Sequence, residues 1–335
     1  MRCNCWFIPQ LCFWGVTFII NLVPNPRPNP SSTRQDHHLT STIKKTVEGE
    51  AMTISKVGVV GGGTMGSGIA EVSAKSGCDT VVVEIDASLA EFAQEKLEKS
   101  TEKAVSRGKM TEEDRENLLS KLSFTTDFKD LEDRDLVIEA VIESPEIKAK
   151  VFSTLDEIVQ PEGILASNTS SISIGEIATA TSRGEKVLGM HFFNPATVQP
   201  LVELITSEVT SEKTLKTVED FTRDTLGKHP ITTIDRAGFV VNRLLVPYLL
   251  QAMHMYDRGQ ASKEDIDAGM KFGCAHPQGP LELSDLIGLD TLLLVADVLY
   301  EEFKEPTYSP PPILRRLVTA GHLGRKTGQG FYNYE

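Results

Sequence analysis

His191 and Glu203, twelve residues apart, have the types and spacing to move a proton. They flank a Pro-bounded break, Phe192-Phe193-Asn194-Pro195-Ala196-Thr197-Val198-Gln199-Pro200. Strand-like apolar runs lie on either side, Val187-Leu188-Gly189-Met190 and Leu201-Val202-Glu203-Leu204-Ile205. A strand, a sharp loop and a second strand would set the two side chains on neighbouring strands. A carboxylate there fixes the imidazole tautomer and favours the protonated form, as a general base requires. Taken alone, such a pair is more often a half-buried histidine beside an incidental surface glutamate. The remainder of the chain shifts that balance.

A second constellation lies upstream. Lys56-Val57-Gly58-Val59-Val60 reads as a buried strand, Gly61-Gly62-Gly63-Thr64-Met65-Gly66 follows, and Ser67 to Ser76 reads as a helix. Thr80-Val81-Val82-Val83 is a second buried strand, ending at Glu84. This is a βαβ unit with a dinucleotide-binding fingerprint. Gly61 permits the tight turn, Gly63 lets the backbone approach a diphosphate, and Gly66 lets helix and strand pack closely. Gly61, Gly63, Thr64, Met65 and Gly66 are the candidate cofactor contacts, at a helix start with N–H groups to offer. Glu84 falls where a carboxylate grips the adenine ribose, with Asp86 as the alternative. A carboxylate repels a 2′-phosphate, and no arginine follows in Ile85-Asp86-Ala87, so NAD is favoured over NADP.

The elements that must hold these groups alternate in the same manner. Ser88 to Arg107 and Thr111 to Lys121 read as charged helices. They are either plain solvated helices or a wall offering Lys103, Arg107 or Lys109 to ligand phosphates. Leu136 to Val141 is a strand, Pro145 to Val159 a helix with proline at its start, and Ile164 to Asn168 a strand. Glu143 and Asn168-Thr169-Ser170-Ser171 therefore fall in loops at strand ends, where an open sheet binds ligands, although Ser171 reads as a helix cap. After the His191 hairpin come a helix from Ser211 to Leu226 and a strand from Ile231 to Ile234. From Gly238 only helices are predicted: Phe239 to Tyr256, Ser262 to Lys271, Leu281 to Ile287, Leu289 to Glu301 and Ile313 to Ala320. The fold class is thus an α/β Rossmann-type domain with a mainly parallel doubly wound sheet, residues 52–237, followed by an all-α domain, residues 238–335. Its long apolar helices suggest a subunit interface as well as a core.

Bulk properties agree. The chain has 335 residues, 40% hydrophobic and 24% charged, enough for two domains with proper cores. A net charge of −13 argues against nucleic acid as the main partner but not against a small anion met by a local positive field. Cys78 and Cys274 show neither metal spacing nor a disulfide framework, so no metal is expected and both read as small core residues. Residues 1–51 differ from the rest, with an apolar run from Cys5 to Val23, a Pro/Asn-rich piece and a Ser/Thr-rich tract. A signal or anchor, an organellar targeting segment, and a stretch outside the working protein all compete there. Met52 leads directly into the first strand, which favours the third reading. That start implies a cytoplasmic protein; a mitochondrial one is the alternative, and no membrane role is expected of the body.

From Ser55 onward the chain resembles the 3-hydroxyacyl-CoA dehydrogenase family, in its short monofunctional 3-hydroxybutyryl-CoA dehydrogenase type. The glycine-rich motif above carries the resemblance, with Val137-Ile138-Glu139-Ala140-Val141-Ile142-Glu143, Ala166-Ser167-Asn168-Thr169-Ser170-Ser171 and His191-Phe192-Phe193-Asn194-Pro195. Gly238-Phe239-Val240-Val241-Asn242-Arg243, the run from Gly279 to Asp290 and Gly324-Arg325-Lys326-Thr327-Gly328-Gln329-Gly330-Phe331-Tyr332 complete it. The resemblance implies NAD-dependent oxidation of a 3-hydroxyacyl-CoA, or the reverse, by a homodimer. His191 would be the base, Glu203 its orienting partner, and Ser170 and Asn242 the donors to the substrate oxygen. Glu143, Lys148, Asn194 and Lys326 would be further cofactor contacts, and Ser100 and Arg107 would touch the CoA moiety. Ala196-Thr197-Val198-Gln199-Pro200 departs from the family's Pro-rich run ending in Met-Lys, which bears on acyl-chain preference. A CoA-independent 3-hydroxy acid dehydrogenase of the gulonate type and a non-catalytic NAD-binding protein are the competing readings. The first lacks the Phe192-Phe193 pair; the second should lack His191, Glu203, Ser170 or Asn242.

Overall fold

The computed structural model describes residues 53–334, so the expectations for residues 1–51 lie outside it. Strands β1 (Lys56–Val60), β2 (Asp79–Val83), β3 (Leu122–Thr125), β4 (Leu136–Glu139), β5 (Ile164–Ser167), β6 (Val187–Phe192), β7 (Leu201–Thr206) and β8 (His229–Ile234) form one sheet in the order β3-β2-β1-β4-β5-β6-β7-β8. All neighbouring pairs are parallel except β6 with β7. The link from β6 to β7, residues 193–200, is shorter than the crossover of about a dozen residues a parallel pair needs, so the chain must turn back as a hairpin. The expected doubly wound sheet is present, and the strand order reverses direction at β1 and β4, where such sheets hold ligands.

Helices α1 (Thr64–Lys75), α2 (Ala87–Ser106), α3 (Glu112–Leu119), α4 (Pro145–Ile158), α5 (Ile174–Ala178) and α6 (Glu212–Asp220) cover the sheet. One core, with Val57, Val59, Ile69, Leu136, Ile138, Met190 and Leu204, fills one face. The other, with Val60, Val83, Phe152, Leu165, Val187 and Ile205, fills the opposite face. Strands buried on both sides are accordingly near-continuous in Val, Ile and Leu. A separate core unites α7 (Val241–Asp257), α8 (Lys263–Gly273), α9 (Pro280–Ile287), α10 (Leu289–Phe303) and α11 (Pro312–Thr319). No helix among the described residues is long and apolar enough to cross a membrane.

Three expectations need correction. β3 was not foreseen: it is a short edge strand, Leu-Ser-Phe-Thr, only partly buried, so no apolar run announces it. Helix α7 begins at Val241 and not at Phe239, because Gly238 (φ 76°) and Phe239 (φ 47°) are left-handed and cannot join a right-handed helix. Cys274 is exposed after α8, whereas Cys78 is buried and its thiol is pushed up to about 11 by desolvation and the Asp135 charge.

Candidate active site

The hairpin of β6 and β7 sets His191 directly opposite Glu203. Directly opposed residues on antiparallel strands project to the same face with Cβ atoms about 5 Å apart, within reach of a shared hydrogen bond. His191 Nδ1 lies 2.7 Å from Glu203 Oε2, and both residues are buried. In the neutral imidazole, donation of Nδ1–H to the carboxylate places the free lone pair on Nε2, the tautomer of a general base. Phe193 and Phe239 hold the imidazole with ring centroids 4.7 and 5.6 Å away.

Glu203 reaches further than the sequence suggested. Its Oε1 accepts Val240 N–H at 3.1 Å and Val241 N–H at 2.9 Å, the opening amides of α7. Helix α7 has no acidic residue in its own first turn and no side-chain cap, so Glu203 supplies the negative charge its N-terminus favours. The same carboxylate therefore orients His191 and docks the turn that carries Asn242.

On the other side of the hairpin, Asn168 Oδ1 accepts Phe192 N–H at 2.9 Å, which ties the loop after β5 to β6 beside His191. That loop is gathered on Glu143. Its Oε1 accepts from Thr169 Oγ1 (2.6 Å), Ser170 N (2.9 Å), Ser171 N (3.1 Å) and Ser171 Oγ (3.0 Å), with Ser170 Oγ at 3.3 Å. Ser171 is thus bound to Glu143 and caps nothing; Ser173 caps α5 by accepting Glu176 N–H. Burial works against ionising Glu143, but the Lys148 ammonium and these donors outweigh it and hold its carboxyl below the usual glutamate range.

A depressed folded value means a contribution fully present above the unfolded value, about 4.3, and lost as pH falls through the folded one. Glu143→Gln lacks it. In urea unfolding at stepped pH, the stability gap between wild type and Glu143→Gln is expected to be constant near neutrality and to narrow as pH drops below about 4. A gap that stays constant through the acid range would show that the Glu143 charge is not what holds the loop.

Lys148 is buried, with Nζ 2.7 Å from Glu139 and 3.3 Å from Glu143. Glu139 in turn accepts from Ser167 Oγ and Val141 N, each at 2.7 Å. The ammonium thus faces protein carboxylates. Glu139 was missed as part of this network. Its signal in the sequence was a single acid inside the otherwise apolar run Leu136 to Val141, a position that demands a partner; the strand itself ends at Glu139 and not at Val141.

The glycine-rich loop fits a dinucleotide. At Gly61, φ is 96° and a Cβ would stand 2.9 Å from the Ala140 carbonyl; at Gly66 it would stand 1.7 Å from the Gly61 carbonyl. At Gly63 a Cβ would meet nothing within 4 Å, so the loop is open on the side a diphosphate needs. No side chain caps α1, whose start holds Thr64 and Met65. Glu84 at the end of β2 accepts Gly62 N–H at 2.5 Å, and Asp86 caps α2. Asn194 is exposed in the loop after His191. Lys228, unremarked in the sequence, donates to the carbonyls of Ala196 (2.6 Å) and Gln199 (2.7 Å) and fastens that loop to the start of β8.

Other expected contacts stand apart from this cluster. Ser100 Oγ donates to Glu71 at 2.9 Å, and burial pushes the Glu71 carboxyl up. Arg107 is exposed where α2 ends. Lys326 pairs with Asp290 at 2.6 Å in the helical half. Among the described residues, no bond joins Lys326 to the glycine-rich loop.

Residues 56–236 match the family model described as 3-hydroxyacyl-CoA dehydrogenase, NAD binding domain, and residues 238–334 match its C-terminal domain. The chain belongs to the 3-hydroxyacyl-CoA dehydrogenase family. Like the family, it is an NAD-dependent oxidoreductase. Among 3-hydroxyacyl-CoA dehydrogenase relatives, it is 54% identical to 3-hydroxybutyryl-CoA dehydrogenase of Mycobacterium tuberculosis, over 84% of this chain and 99% of that protein. It is 40% identical to the human mitochondrial hydroxyacyl-coenzyme A dehydrogenase, over 89% of this chain and 96% of that one. The crystal structure of (S)-3-hydroxybutyryl-CoA dehydrogenase PaaH1 from Ralstonia eutropha superposes with a TM-score of 0.81 at 46% identity, covering 84% of this chain and all of that one.

Proposed function

We propose that the chain interconverts an (S)-3-hydroxyacyl-CoA and its 3-ketoacyl-CoA, with His191 as the base and Glu203 as its orienting partner. The observation that carries this is the 2.7 Å contact of His191 Nδ1 with a buried carboxylate, which leaves Nε2 to meet the alcohol. In oxidation Nε2 takes the hydroxyl proton, and Glu203 stabilises the imidazolium that forms. Bound NAD would supply the acceptor for the hydride that leaves the carbon bearing that hydroxyl. Ser170, on the loop held by Glu143, and Asn242, on the turn held by Glu203, donate to the oxygen as charge develops on it. Gly61, Gly63, Thr64, Met65, Gly66 and Glu84 hold the cofactor, with Asn194 beside them. Glu143 and Lys148 position the Ser170 loop. Ser100 and Arg107 on α2 meet the CoA moiety, and Lys326 contributes from the helical half.

Residues 52–237 form the cofactor domain and 238–335 the substrate and dimerisation domain. Exposed Leu244, Phe272, Leu286 and Leu294 supply apolar surface for a homodimer. The cytoplasm is the proposed site of action; a mitochondrial site is the alternative.

The test is NADH consumption with 3-ketoacyl-CoAs of four to sixteen carbons, set against a gulonate-type sugar acid with NAD. Turnover of the thioesters, strongest at short chain length as the relatives' names suggest, is the expected result. Turnover of the free acid alone would overturn it in favour of the CoA-independent dehydrogenase.

A further inference from the structure

Asn242 and Arg243 are consecutive in the first turn of α7, and the arginine sits there against local preference. A cation at a helix N-terminus opposes the helix dipole; that turn has no acid of its own, and the Glu203 carboxylate beside it is already bound to two amides and His191. Nor does Arg243 pair with a carboxylate elsewhere among the described residues. Its guanidinium carbon lies 3.3 Å over the centre of the Phe303 ring and 5.2 Å from that of Tyr308. Those rings lean together with centroids 5.5 Å apart. Nη1 is buried without a hydrogen-bond partner. Burying a donor in this way is unfavourable, and an apolar side chain could fill the space without it. What the guanidinium adds is direction: a planar cation on a ring face is attracted to one orientation.

A second arginine uses the same ring. Arg236 lies 5.3 Å from the Phe303 centroid and is held by Glu302 at 2.6 Å. The two arginines bracket Ala237 to Val240, the segment leading from the sheet into α7. Phe303, at the end of α10, thus grips both ends of that segment. Glu203 accepts the amides of Val240 and Val241 from the sheet side.

We propose that Arg243 is a positioning residue for Asn242, fixing the roll of the first turn of α7 from the helical side as Glu203 fixes it from the sheet. The proposal rests on the reading of Asn242 as a donor to the substrate oxygen. The test is a double-mutant cycle of Arg243→Met and Asn242→Ala, read as kcat and KM for acetoacetyl-CoA with NADH affinity measured alongside. Arg243→Met alone is expected to lower kcat about tenfold with NADH affinity unchanged, and Arg243→Lys to recover part of that. In the Asn242→Ala background the same change is expected to cost less than about twofold, since nothing is left to position. An equal loss in both backgrounds, with Asn242→Ala itself impaired, would overturn the proposal and leave the active-site reading standing. Full activity of Asn242→Ala would remove that reading and the proposal with it. Should Arg243→Met fail to fold, Phe303→Leu removes the ring face from the other side and enters the same cycle.

Discussion

His191→Gln is expected to lower kcat by roughly 10²–10⁴-fold, the range for a positioned acid–base group, while NADH binds as before. The amide can still donate to Glu203, so the hairpin need not reorganise. What it cannot do is take a proton from the substrate alcohol and return it to solvent. The glycine-rich turn and Glu84, proposed above to hold the cofactor, lie at the end of β1, the start of α1 and the end of β2, and none of them is bonded to the imidazole. Chemistry and cofactor binding should therefore separate. Fluorescence titration with NADH and steady-state rates with acetoacetyl-CoA measure the two independently. A variant that keeps wild-type kcat would remove His191 from the mechanism. One that loses NADH affinity in step with kcat would place the ring at the cofactor rather than at the alcohol.

The residues that could be read from the sequence share one property: their partners are close in the chain. His191 and Glu203 meet because a short Pro-bounded loop forces an antiparallel pair, and the strand period then puts both on one face. The glycine-rich turn was legible because its strand, helix and closing acid lie within one βαβ unit. Glu203 docking α7 was not legible, since it joins positions 37 and 38 residues apart through backbone amides that every sequence possesses. Arg243 on Phe303 joins helices whose packing no local pattern specifies. The resemblance put Lys148 beside the cofactor. The structure buries it in helix α4 against Glu139 and Glu143, because an ammonium buried between helix and sheet must find carboxylates within the protein.

Glu203→Gln tests the link between chemistry and architecture, and it should fail in two ways at once. The carboxylate takes three N–H donors, from His191, Val240 and Val241. An amide has one oxygen and one NH₂ group: the oxygen can keep Val240 and Val241, but the NH₂ then faces His191 Nδ1, so either two donors meet or the imidazole takes its other tautomer and Nε2 carries the proton. Replacing a charged acceptor by a neutral one on two helix-opening amides weakens both, a loss of about 1–3 kcal/mol, which for a protein of this size lowers Tm by a few degrees, on the order of 2–10 °C. Turnover should fall further than stability alone explains. The imidazolium loses its counter-charge, the base is no longer held in its working tautomer, and the turn bearing Asn242 loses its charged anchor, so kcat should drop by roughly 10²-fold or more even well below the new Tm. His191→Gln spares the two α7 amides, so it should retain most of the thermal stability that Glu203→Gln gives up. Thermal unfolding and kcat measured on both variants under one set of conditions make the comparison. If Glu203→Gln proved as stable as His191→Gln, the carboxylate would serve the imidazole alone, and the helical half would be held to the sheet by other contacts.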